Sequence, residues 1–587
     1  MTYSWDAILT HLAERLSEIT ETKIEPQDIV LPPKPDLGDV AFGCFKLAKA
    51  KGKSPADIAK ELAESFTNGD HIVESCVAAG PYLNFTFSTG EFIKRIVSDV
   101  ERYQSEFGSS TIGGGKELML EYAQPNTHKE IHVGHLRNLV LGSSVAKILQ
   151  RAGWKVVTAS YHGDVGAHVA KCLWLLVHRT SPDALRSLDV ETADSIIEAI
   201  PRGERTGAYL GKLYSESTRE LEDHPEYKEE ISFVQQQLES YSAGWDKLWR
   251  ETRRWSLAEI GELFQEFSVK IDRQYLESEV VEAGQQIVDE LLAKNIAKHS
   301  EGAIAVDLED QKLGFFLIRK SDGTSLYATK DLALAKLKAE EYPHMERSLL
   351  MVDNRQSLYF QQLFATLKLM GMTQQMEFTG YEFVTLKSGA MSSREGNIVT
   401  LESFRDEVVS LAMRETTARH ADWFQGKVSH TAWCLAMSGI KFGMLKQDSD
   451  KIFTFDLEQA LSFDGDTGPY VQYAATRLQA ILRKGEWNSE QVSGDLLLLS
   501  EPLEKRLAVQ LAQFPDACRR AAEELRPALI AQWCLTLAHR VTEFYHGVKV
   551  LDAEPELRMA RLRLIASIVS TVTIALDILG IPTPEEM

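Results

Sequence analysis

One strand–loop–helix–strand pattern, between residues 117 and 164, limits the possible folds of this chain more than any other feature. Two apolar runs, ELMLEYA and KVVTASYHGD, predict strands at Glu117–Ala123 and Lys155–Asp164. Apolar residues at helical spacing lie between the two runs, and Gly153 follows them as a stop signal. We therefore predict parallel strands in a doubly wound α/β sheet, which binds ligands beyond the carboxyl ends of its strands.

The loop between the first strand and its helix, QPNTHKEIHVGHLRN, holds an unusual concentration of basic side chains around one glycine: His128, Lys129, His132, Gly134, His135 and Arg137. At a strand-to-helix turn, His132 and His135 would offer donors beside the backbone N–H groups of a helix N-terminus, which favour anions. Gly134 would let a nucleotide approach the backbone closely, and Lys129 would add a point charge for phosphate oxygens. This pattern favours stabilising the charge that develops on a triphosphate when its α-phosphorus is attacked.

Two alternatives for this loop stay open at the level of sequence. His128 and His132 are four residues apart and His135 follows three later, so a helix could present them to zinc, although Lys129 and Arg137 would repel a dication. The histidines could instead satisfy hydrogen bonds in a core turn. Nucleophilic catalysis is not favoured, because the chain has no Gly-x-Ser-x-Gly or comparable nucleophile sequence.

The chain is too long for one hydrophobic core, since 587 residues exceed what a single domain usually supports. The run Gly113–Lys116 could suggest a phosphate loop, but Glu117 follows where Ser or Thr is needed, so we predict a linker. Apolar runs predict that the sheet resumes after an insertion, at Ala303–Leu308, Gly314–Thr329 and Arg347–Asn354. The predicted divisions are an α+β N-terminal domain at 1–112, a sheet domain at 113–403 with a mostly helical insertion at about 175–295, a helical connection at 404–463 and an all-α domain at 464–587.

Composition excludes several classes of protein. Six scattered cysteines without a Cys-x-x-Cys pair argue against a disulfide framework or a thiolate zinc site. A net charge of −21 argues against indiscriminate binding of polyanions, so a nucleic-acid partner would need a local basic face. The longest apolar run, Leu564–Leu576, is too short to span a bilayer, and the N-terminus lacks the pattern of an export signal. We expect a cytoplasmic protein without a membrane partner.

The sequence His132-Val133-Gly134-His135 resembles the HIGH signature of class I aminoacyl-tRNA synthetases, and the longer stretch Glu121–Arg137 resembles arginyl-tRNA synthetases specifically. Further blocks similar to that family follow in its order, at Pro32–Glu64, Gly80–Ser88, Gly163–Lys171, Ser321–Lys336, Asn354–Phe364, Ser388–Asn397, Asp464–Leu482 and Ala575–Met587. One departure is Val165, where the family usually has Trp. The resemblance implies a Rossmann-like catalytic domain, an additional N-terminal domain that contacts tRNA, and a helical C-terminal domain that binds the anticodon.

The resemblance also implies a reaction. An arginine–tRNA ligase activates L-arginine with ATP, accompanied by Mg²⁺, to arginyl-adenylate, and transfers the arginyl group to the 3′ end of tRNA(Arg). In this family the first step generally requires bound tRNA, the enzyme is usually a monomer, and no structural metal is expected. Two rival functions remain: a synthetase-like RNA-binding or regulatory protein without catalysis, and a zinc hydrolase built on the three histidines.

The resemblance assigns roles to individual residues. Arginine-binding positions are Glu121, Asn126, His132, Tyr327, Asp331 and Gln356, of which Asp331 has the right chemistry to pair a guanidinium. Catalytic and ATP-binding positions are Lys129, His132, Gly134, His135, Met391, Ser392, Ser393 and Arg394. Positions for tRNA are Asn84, Phe85, Tyr470, Tyr473 and Met587.

The block MSSREG, Met391–Gly396, departs from the Lys-Met-Ser-Lys-Ser loop of many class I synthetases. Ser393 stands where that loop has its second lysine, and Arg394 follows it. We expect Lys129, three residues before His132, to supply the missing charge, an exchange seen in many arginyl enzymes. By the same comparison, His128 is incidental to the site.

Overall fold

The computed structural model describes residues 1–34, 37–66, 72–300, 302–320, 326–382, 384–387, 399–488 and 494–587. The chain divides into two compact units. The terminal unit consists of Met1–Ile112, Glu415–Phe442 and Glu458–Met587, and the central unit consists of Gly113–Arg414 and Gly443–Leu457. The regions predicted as N-terminal and C-terminal domains therefore fall largely within one compact unit.

Residues 1–112 form an antiparallel four-stranded sheet with helices, as the α+β prediction stated. The strand order is β1–β2–β4–β3. The third helix begins at a sequence-encoded cap, since Ser54 accepts a hydrogen bond from the backbone N–H of Asp57 at 3.2 Å and Pro55 follows the cap. The elements are α1 (Ser4–Thr20), β1 (Ile29–Val30), β2 (Val40–Gly43), α2 (Phe45–Lys51), α3 (Pro55–Ser65), β3 (Val73–Ala79), β4 (Tyr82–Phe87) and α4 (Thr89–Tyr103).

A five-stranded parallel sheet organises the central unit. The elements up to residue 387 are β5 (Glu117–Glu121), α5 (Val133–Arg151), β6 (Lys155–His162), α6 (Ala167–Thr180), α7 (Val190–Ala199), α8 (Gly207–Asp223), α9 (Lys228–Glu239), α10 (Ala243–Glu266), β7 (Arg273–Leu276), α11 (Val281–Ala293), β8 (Ala297–Ser300), β9 (Ala303–Asp307), β10 (Phe315–Arg319), α12 (Tyr327–Glu341), β11 (Met345–Asp353), α13 (Ser357–Leu369), β12 (Gln375–Tyr381) and β13 (Val384–Leu386). The order of the sheet is β12–β11–β5–β6–β7, and every neighbouring pair is parallel. The predicted doubly wound sheet and its β5–α5–β6 unit are confirmed.

Two of the strands predicted for the resumed sheet belong elsewhere. The runs at Ala303–Leu308 and Gly314–Thr329 give β9 and β10, which pair antiparallel with each other and with β8 in a separate three-stranded sheet. The second strand also ends at Arg319, and α12 begins at Tyr327. In β10, Phe316 is buried whereas Phe315 is exposed, the alternation of an antiparallel sheet with one covered face. β7, inside the range predicted for the helical insertion, is the strand that extends the parallel sheet.

Helix α5 is fixed to the sheet by one polar side chain and one close approach. The Asn138 amide accepts a hydrogen bond from the backbone N–H of Ala123 at 2.5 Å and donates to the carbonyl of Met351 at 3.0 Å. These bonds join the helix to the ends of β5 and β11. One turn further along, Gly142 lies against Tyr122, where a Cβ would come within 2.1 Å of the ring.

The rest of the chain is almost entirely helical, as predicted from Phe404 onward. The exception is β14, which pairs in parallel with β13. The elements are α14 (Leu401–Arg419), α15 (Gln425–Leu445), β14 (Phe453–Phe455), α16 (Leu457–Ala460), α17 (Gly468–Lys484), α18 (Pro502–Ala512), α19 (Phe514–Glu524), α20 (Ala528–Gly547) and α21 (Pro555–Ile578). Within the described part of the chain, α21 is the one helix long and apolar enough to cross a membrane, but 61% of its most apolar window is buried, and it packs on α17 and α4.

The contact between Gly142 and Tyr122 predicts a sharp difference between two glycine substitutions in helices. Gly142→Ala is expected to destabilise the protein by about 1–3 kcal/mol, because the added methyl must displace a packed ring. Gly261→Ala in α10 is the matched control, since its Cβ would meet nothing within 4 Å and alanine is the better helix former, by about 0.5–1 kcal/mol. Thermal unfolding should show a lower midpoint for Gly142→Ala only. Equal midpoints would contradict the packing described.

Candidate active site

The loop after β5 ends in a turn formed by His132 and His135, which cap α5 reciprocally. Nδ1 of His132 accepts a hydrogen bond from the backbone N–H of Gly134 at 3.1 Å, and the backbone N–H of His132 donates to Nδ1 of His135 at 3.2 Å. The two ring centroids are 3.9 Å apart. A Cβ on Gly134 would lie 2.8 Å from the His132 ring, so the turn requires glycine. These contacts hold both rings at the helix N-terminus, beyond the carboxyl end of β5.

Both rings are neutral, with the proton on Nε2. An Nδ1 atom that accepts a backbone hydrogen bond carries no proton, which leaves the proton of a neutral ring on Nε2. Burial lowers the pKa of His132, and burial together with the neighbouring His132 lowers the pKa of His135 to about 3. The turn therefore presents two N–H donors of fixed orientation without a full charge. Such donors can stabilise negative charge that develops on a ligand.

Lys129 supplies the full positive charge near this turn. Its Nζ lies 5.1 Å from the ring centroid of Tyr214, on helix α8 of the insertion. Burial and the nearby Lys171 lower the pKa of Lys129, whereas the Glu277 carboxylate raises it. The charge of Lys129 in turn lowers the pKa of His132. The charge of Lys129 therefore acts directly on the histidine turn.

His128 is a structural residue, and its position removes the three-histidine zinc site. Its side chain is fully buried, with Nδ1 2.9 Å from the hydroxyl of Thr127 and Nε2 2.9 Å from the hydroxyl of Thr252. Both ring nitrogens are therefore engaged by protein hydroxyls and cannot join His132 and His135 around a metal. Burial lowers the pKa of His128 to about 3, so this ring is also neutral.

Asp331, in the first turns of α12, lies near Glu277, Tyr161 and Tyr359, and we call this group of carboxylate and hydroxyl side chains the acidic pocket. The hydroxyl of Tyr359 donates to its carboxylate. Burial raises the pKa of Asp331 to about 6; the Tyr359 hydrogen bond opposes this rise, and the Glu277 carboxylate adds to it. Glu277 is 5% exposed and is paired with Lys330. The Tyr161 hydroxyl is buried and has no hydrogen-bond partner among the described residues, and the charges of both carboxylates help to raise its pKa. The pocket suits a cationic ligand with several donors.

Three other predicted arginine-binding residues lie near the carboxyl edge of the sheet. Asn126 follows β5, Gln356 follows β11, and Tyr327 begins α12. Asn126 accepts a hydrogen bond from the backbone N–H of Gly163 at 3.1 Å, at the end of β6. Tyr327 is 69% exposed, and the charges of Glu277 and Asp331 add to the burial that raises its pKa. Gln356 is exposed, three residues after β11 ends. These placements agree with a ligand bound beyond the carboxyl ends of the strands.

Glu121 differs from the other predicted arginine-binding residues because a protein cation already holds it. Its carboxylate, 3% exposed, pairs with Lys338, which is equally buried. Gln124 donates a second hydrogen bond to Glu121 at 2.6 Å. Burial lowers the pKa of Lys338 to about 7. A buried carboxylate engaged in this way fixes the end of β5, whereas Asp331 has no such full ion pair among the described residues.

The predicted loop residues Met391, Ser392, Ser393 and Arg394 lie outside the described residues. The chain on either side of them is described. Thr400 forms an antiparallel bridge with His132, so the segment that follows the loop runs beside the histidine turn. Before the loop, Arg137 of α5 donates to the carbonyl of Glu382. Both flanks of the loop are therefore attached to the start of α5.

A second concave site lies within the terminal unit. Its volume is about 200 Å³, and it is lined by Thr416, Arg419, His420, Thr431, Leu435, Phe463, Tyr473 and Met587. The guanidinium carbon of Arg419 is 4.1 Å from the centroid of the Phe463 ring. Arg477 lies 4.1 Å from the centroid of the Tyr473 ring and donates to the Tyr473 hydroxyl at 2.8 Å. Tyr473 and Met587, predicted separately, thus line one pocket of aromatic faces and cations, which we call the aromatic pocket.

The other residues predicted to contact tRNA are placed differently. The Tyr470 hydroxyl lies 3.1 Å from the hydroxyl of Thr542 on α20 and does not line the aromatic pocket. In β4, Asn84 is 4% exposed and Phe85 is fully buried. The accessible aromatic side chain of that strand is Tyr82, at 41% exposure. The roles of Asn84, Phe85 and Tyr470 stay predictions.

Comparison with known proteins connects both sites to one family. Residues 103–457 match the model for the class I (R) tRNA synthetase catalytic domain, residues 471–587 match the DALR anticodon binding domain, and residues 6–87 match the arginyl-tRNA synthetase N-terminal domain. A curated arginine–tRNA ligase of Bdellovibrio bacteriovorus is 36% identical and aligns with 95% of this chain and 94% of its own length. The chain belongs to the arginyl-tRNA synthetase family.

Other members of the arginyl-tRNA synthetase family are similar to this chain over nearly its full length. An arginine–tRNA ligase of Clostridium botulinum (strain Loch Maree / Type A3) is 32% identical, with 98% of this chain and 99% of that protein covered. The solved arginyl-tRNA synthetase of Thermus thermophilus is 28% identical, covers both chains completely and superposes with a TM-score of 0.78. The Plasmodium falciparum arginyl-tRNA synthetase has the same TM-score at 19% identity and shows the common fold.

The structure adds residues that the sequence analysis missed in this arginyl-tRNA synthetase. Glu277 is the residue immediately after β7, so recognising that strand would have placed it at the carboxyl edge of the sheet. His168 lies within 3.2 Å of the carbonyl of Gly163, and burial and Lys129 lower its pKa to about 3. Tyr359 lies within the block Asn354–Phe364 but carries no assigned role there, although its hydroxyl donates to Asp331, and Tyr161 lies outside every block that resembles the family.

The positions of Lys129 and His128 in this arginyl-tRNA synthetase predict separate consequences of replacing them. Lys129→Ala should lower kcat/KM for ATP about 100-fold in tRNA-dependent pyrophosphate exchange, because it removes the charge beside the histidine turn. His128→Asn should instead lower the thermal midpoint, because it disrupts buried hydrogen bonds, and leave most of the activity of the folded protein.

Lys155→Ala, which removes an exposed lysine at the start of β6, is the matched control for charge and should change neither quantity. Equal losses of activity in the Lys129 and His128 variants would contradict these assignments.

Proposed function

We propose that this arginyl-tRNA synthetase activates L-arginine with ATP and transfers it to the 3′ end of tRNA(Arg) through the residues described above. One observation carries the assignment of residues: the neutral donor pair of His132 and His135 and the acidic pocket of Asp331 lie at the same edge of one parallel sheet. The first suits a triphosphate and the second suits a guanidinium. The full-length similarity to arginine–tRNA ligases supports the reaction.

In the first step, the arginine carboxylate attacks the α-phosphorus of ATP, and diphosphate leaves. The Nε2–H groups of His132 and His135 donate to phosphate oxygens, and the N-terminus of α5 adds its partial positive charge. Gly134 leaves room for the nucleotide against the backbone. None of these groups changes protonation during the step, so their stabilisation requires no proton transfer from the protein.

Lys129 replaces the lysine that the MSSREG loop lacks. Thr400, which follows the loop in sequence, bridges His132, and Glu382, which precedes it, accepts a hydrogen bond from Arg137. Within that loop we assign Met391 and Ser392 to ATP and Ser393 and Arg394 to the transition state. The full charge then comes from Lys129, on the opposite side of the triphosphate.

Arginine is recognised by its planar guanidinium. We assign Asp331 to a direct ion pair with it and Glu277 to a second negative charge, while Asn126, Tyr327 and Gln356 provide polar groups around the amino acid. The Tyr161 hydroxyl, unpartnered among the described residues, can accept a guanidinium N–H. A lysine ammonium lacks the fork of donors that could satisfy all these groups, so the pocket disfavours it.

In the second step, the ribose hydroxyl at the 3′ end of tRNA takes the arginyl group and releases AMP. We assign the aromatic pocket to an unpaired base of tRNA, because Tyr473 and Phe463 offer faces for stacking, and Arg419 adds a cation that offsets the acidic total. As in the family generally, we expect the first step to require bound tRNA.

We further propose that the enzyme is a cytoplasmic monomer without a membrane partner. Its ATP is bound as the Mg²⁺ complex. Among the residues that the structure describes, no group of three or more His, Cys, Asp or Glu side chains is placed to hold a metal ion. We propose that Mg²⁺ comes bound to the triphosphate, because the phosphates require its charge. We propose no resident metal for this chain.

The reaction predicts selective exchange of diphosphate into ATP. With tRNA(Arg) present, arginine should support exchange, whereas lysine lacks the fork of donors and citrulline lacks the charge. We expect kcat/KM for lysine and citrulline to be lower than for arginine by about 10⁴-fold, because each leaves buried polar groups unpaired.

A protein of this fold that binds RNA without catalysis is the rival. Absence of exchange with arginine and tRNA(Arg), in protein that still binds tRNA, would establish that rival.

Arginine binding should weaken below about pH 6. The Asp331 carboxylate is charged above its pKa of about 6 and becomes protonated as the pH falls through that value. Loss of the negative charge that faces the guanidinium should raise KM for arginine about tenfold per pH unit below the pKa. Measuring KM from pH 5 to 8 tests this.

Tyr359→Phe removes a hydrogen bond that lowers the pKa of Asp331, so the inflection should move to higher pH. Tyr241→Phe, at an exposed tyrosine of the insertion, is the control. An unchanged inflection in Tyr359→Phe would show that another group controls the pH dependence.

A further inference from the structure

Residues 580–587 lie along helices α15 and α17 in the terminal unit, and side chains of both helices hold their backbone. Lys441, on α15, is 3% exposed and donates to the carbonyl of Gly580 at 2.6 Å. Gln472, on α17, is fully buried and donates to the carbonyl of Pro582 at 2.5 Å. Arg483 donates to the carbonyl of Glu585 at 3.2 Å. The segment is therefore anchored as far as Glu585 without any contribution from the side chain of Glu586.

The Glu586 side chain makes a separate connection to the same two helices. Its carboxylate is paired with Lys427 at the start of α15 and lies 3.4 Å from a guanidinium nitrogen of Arg483 near the end of α17. Burial of both partners is modest, so each pair is screened by solvent and contributes little to global stability. The two pairs connect the residue before Met587 to both helices.

Two routes lead from Glu586 to the wall of the aromatic pocket. One is covalent, because Met587 is the next residue and lines the pocket. The other runs through side chains: Nζ of Lys427 lies 3.9 Å from the centroid of the Trp423 ring, and that ring stacks on His420 at 3.8 Å with an interplanar angle of 13°. His420 also lines the pocket.

We propose that Glu586 is a positioning residue for RNA binding, which sets the aromatic pocket to the size of an unpaired base by fixing Met587 and, through Lys427 and Trp423, His420. The inference rests on the proposed role of the aromatic pocket in binding tRNA. Glu586 touches no base itself. It acts through a methionine and an imidazole that contact the base, so its loss widens the pocket without removing a contact.

The test is aminoacylation by the full chain with a tRNA(Arg) transcript as the varied substrate. Glu586→Gln keeps the size of the side chain and removes its charge. We expect KM for tRNA to rise about three- to tenfold, the effect of losing two solvent-screened pairs, with kcat unchanged. The thermal midpoint should stay the same, because the backbone anchors at Gly580, Pro582 and Glu585 remain.

Matched variants isolate the ion pairs. Glu585→Gln removes the same charge from the adjacent, exposed side chain and should leave KM for tRNA unchanged. Glu586→Asp should keep KM for tRNA within about twofold of the value for the unchanged protein, since a shorter carboxylate can still form the ion pairs. Lys427→Met should raise KM by itself and add little to Glu586→Gln, because both remove the same pair.

A further variant separates this inference from the function on which it depends. Tyr473→Ala removes a stacking face from the aromatic pocket and should raise KM for tRNA at least as much as Glu586→Gln. If Tyr473→Ala raises KM and Glu586→Gln does not, the positioning role is wrong and the tRNA pocket stands. If neither variant changes KM, the pocket assignment and this inference both fail. A lower thermal midpoint with equal loss of kcat in Glu586→Gln would show a merely structural residue and overturn the inference.

Discussion

Two hydrogen bonds in the histidine turn, from the backbone N–H of Gly134 to His132 and from the backbone N–H of His132 to His135, decide what the central site can do. They start α5 at the carboxyl end of β5, and they occupy Nδ1 of both rings with backbone N–H groups. The Nε2–H groups are then the donors that remain, and the glycine between the rings cannot be replaced without displacing His132. The same two rings therefore cap the helix through Nδ1 and offer hydrogen-bond donors through Nε2. This double use explains why histidines stand where Ser, Thr or Asp would cap an ordinary helix.

Burial acts in opposite directions on the two halves of the site, and both effects serve the reaction. Near Lys129, burial lowers the pKa of His132 and His135, which keeps the rings neutral beside a cation. Around Asp331, burial raises the pKa of the carboxylate to about 6, so the negative charge is held at a cost that a guanidinium relieves. A cationic amino acid thus gains more from the pocket than a neutral one, and the phosphates gain from the donors and from Lys129.

Sequence patterns predicted the β5–α5–β6 unit because strand runs, helical spacing and the stop at Gly153 agree with one another. They failed where tertiary pairing decides. β9 and β10 were recognised as strands, but a local pattern does not say which sheet a strand joins. β7 has four residues and follows five helices, so it was counted in the insertion, and Glu277 was missed with it. Tyr359 on α13 donates to Asp331, and the charge of Asp331 raises the pKa of Tyr161 on β6, but no spacing in the sequence shows that these side chains lie near one another.

Whether neutral imidazoles of fixed tautomer stabilise the triphosphate can be tested by locating one proton on each ring. Neutron diffraction from deuterated crystals grown at pH 7 would show which nitrogens of His132 and His135 carry deuterium. We expect deuterium on Nε2 of both rings and none on Nδ1, because Nδ1 accepts a backbone hydrogen bond in each. Deuterium on both nitrogens of either ring would show an imidazolium there, and the stabilising donors would then not be neutral imidazoles.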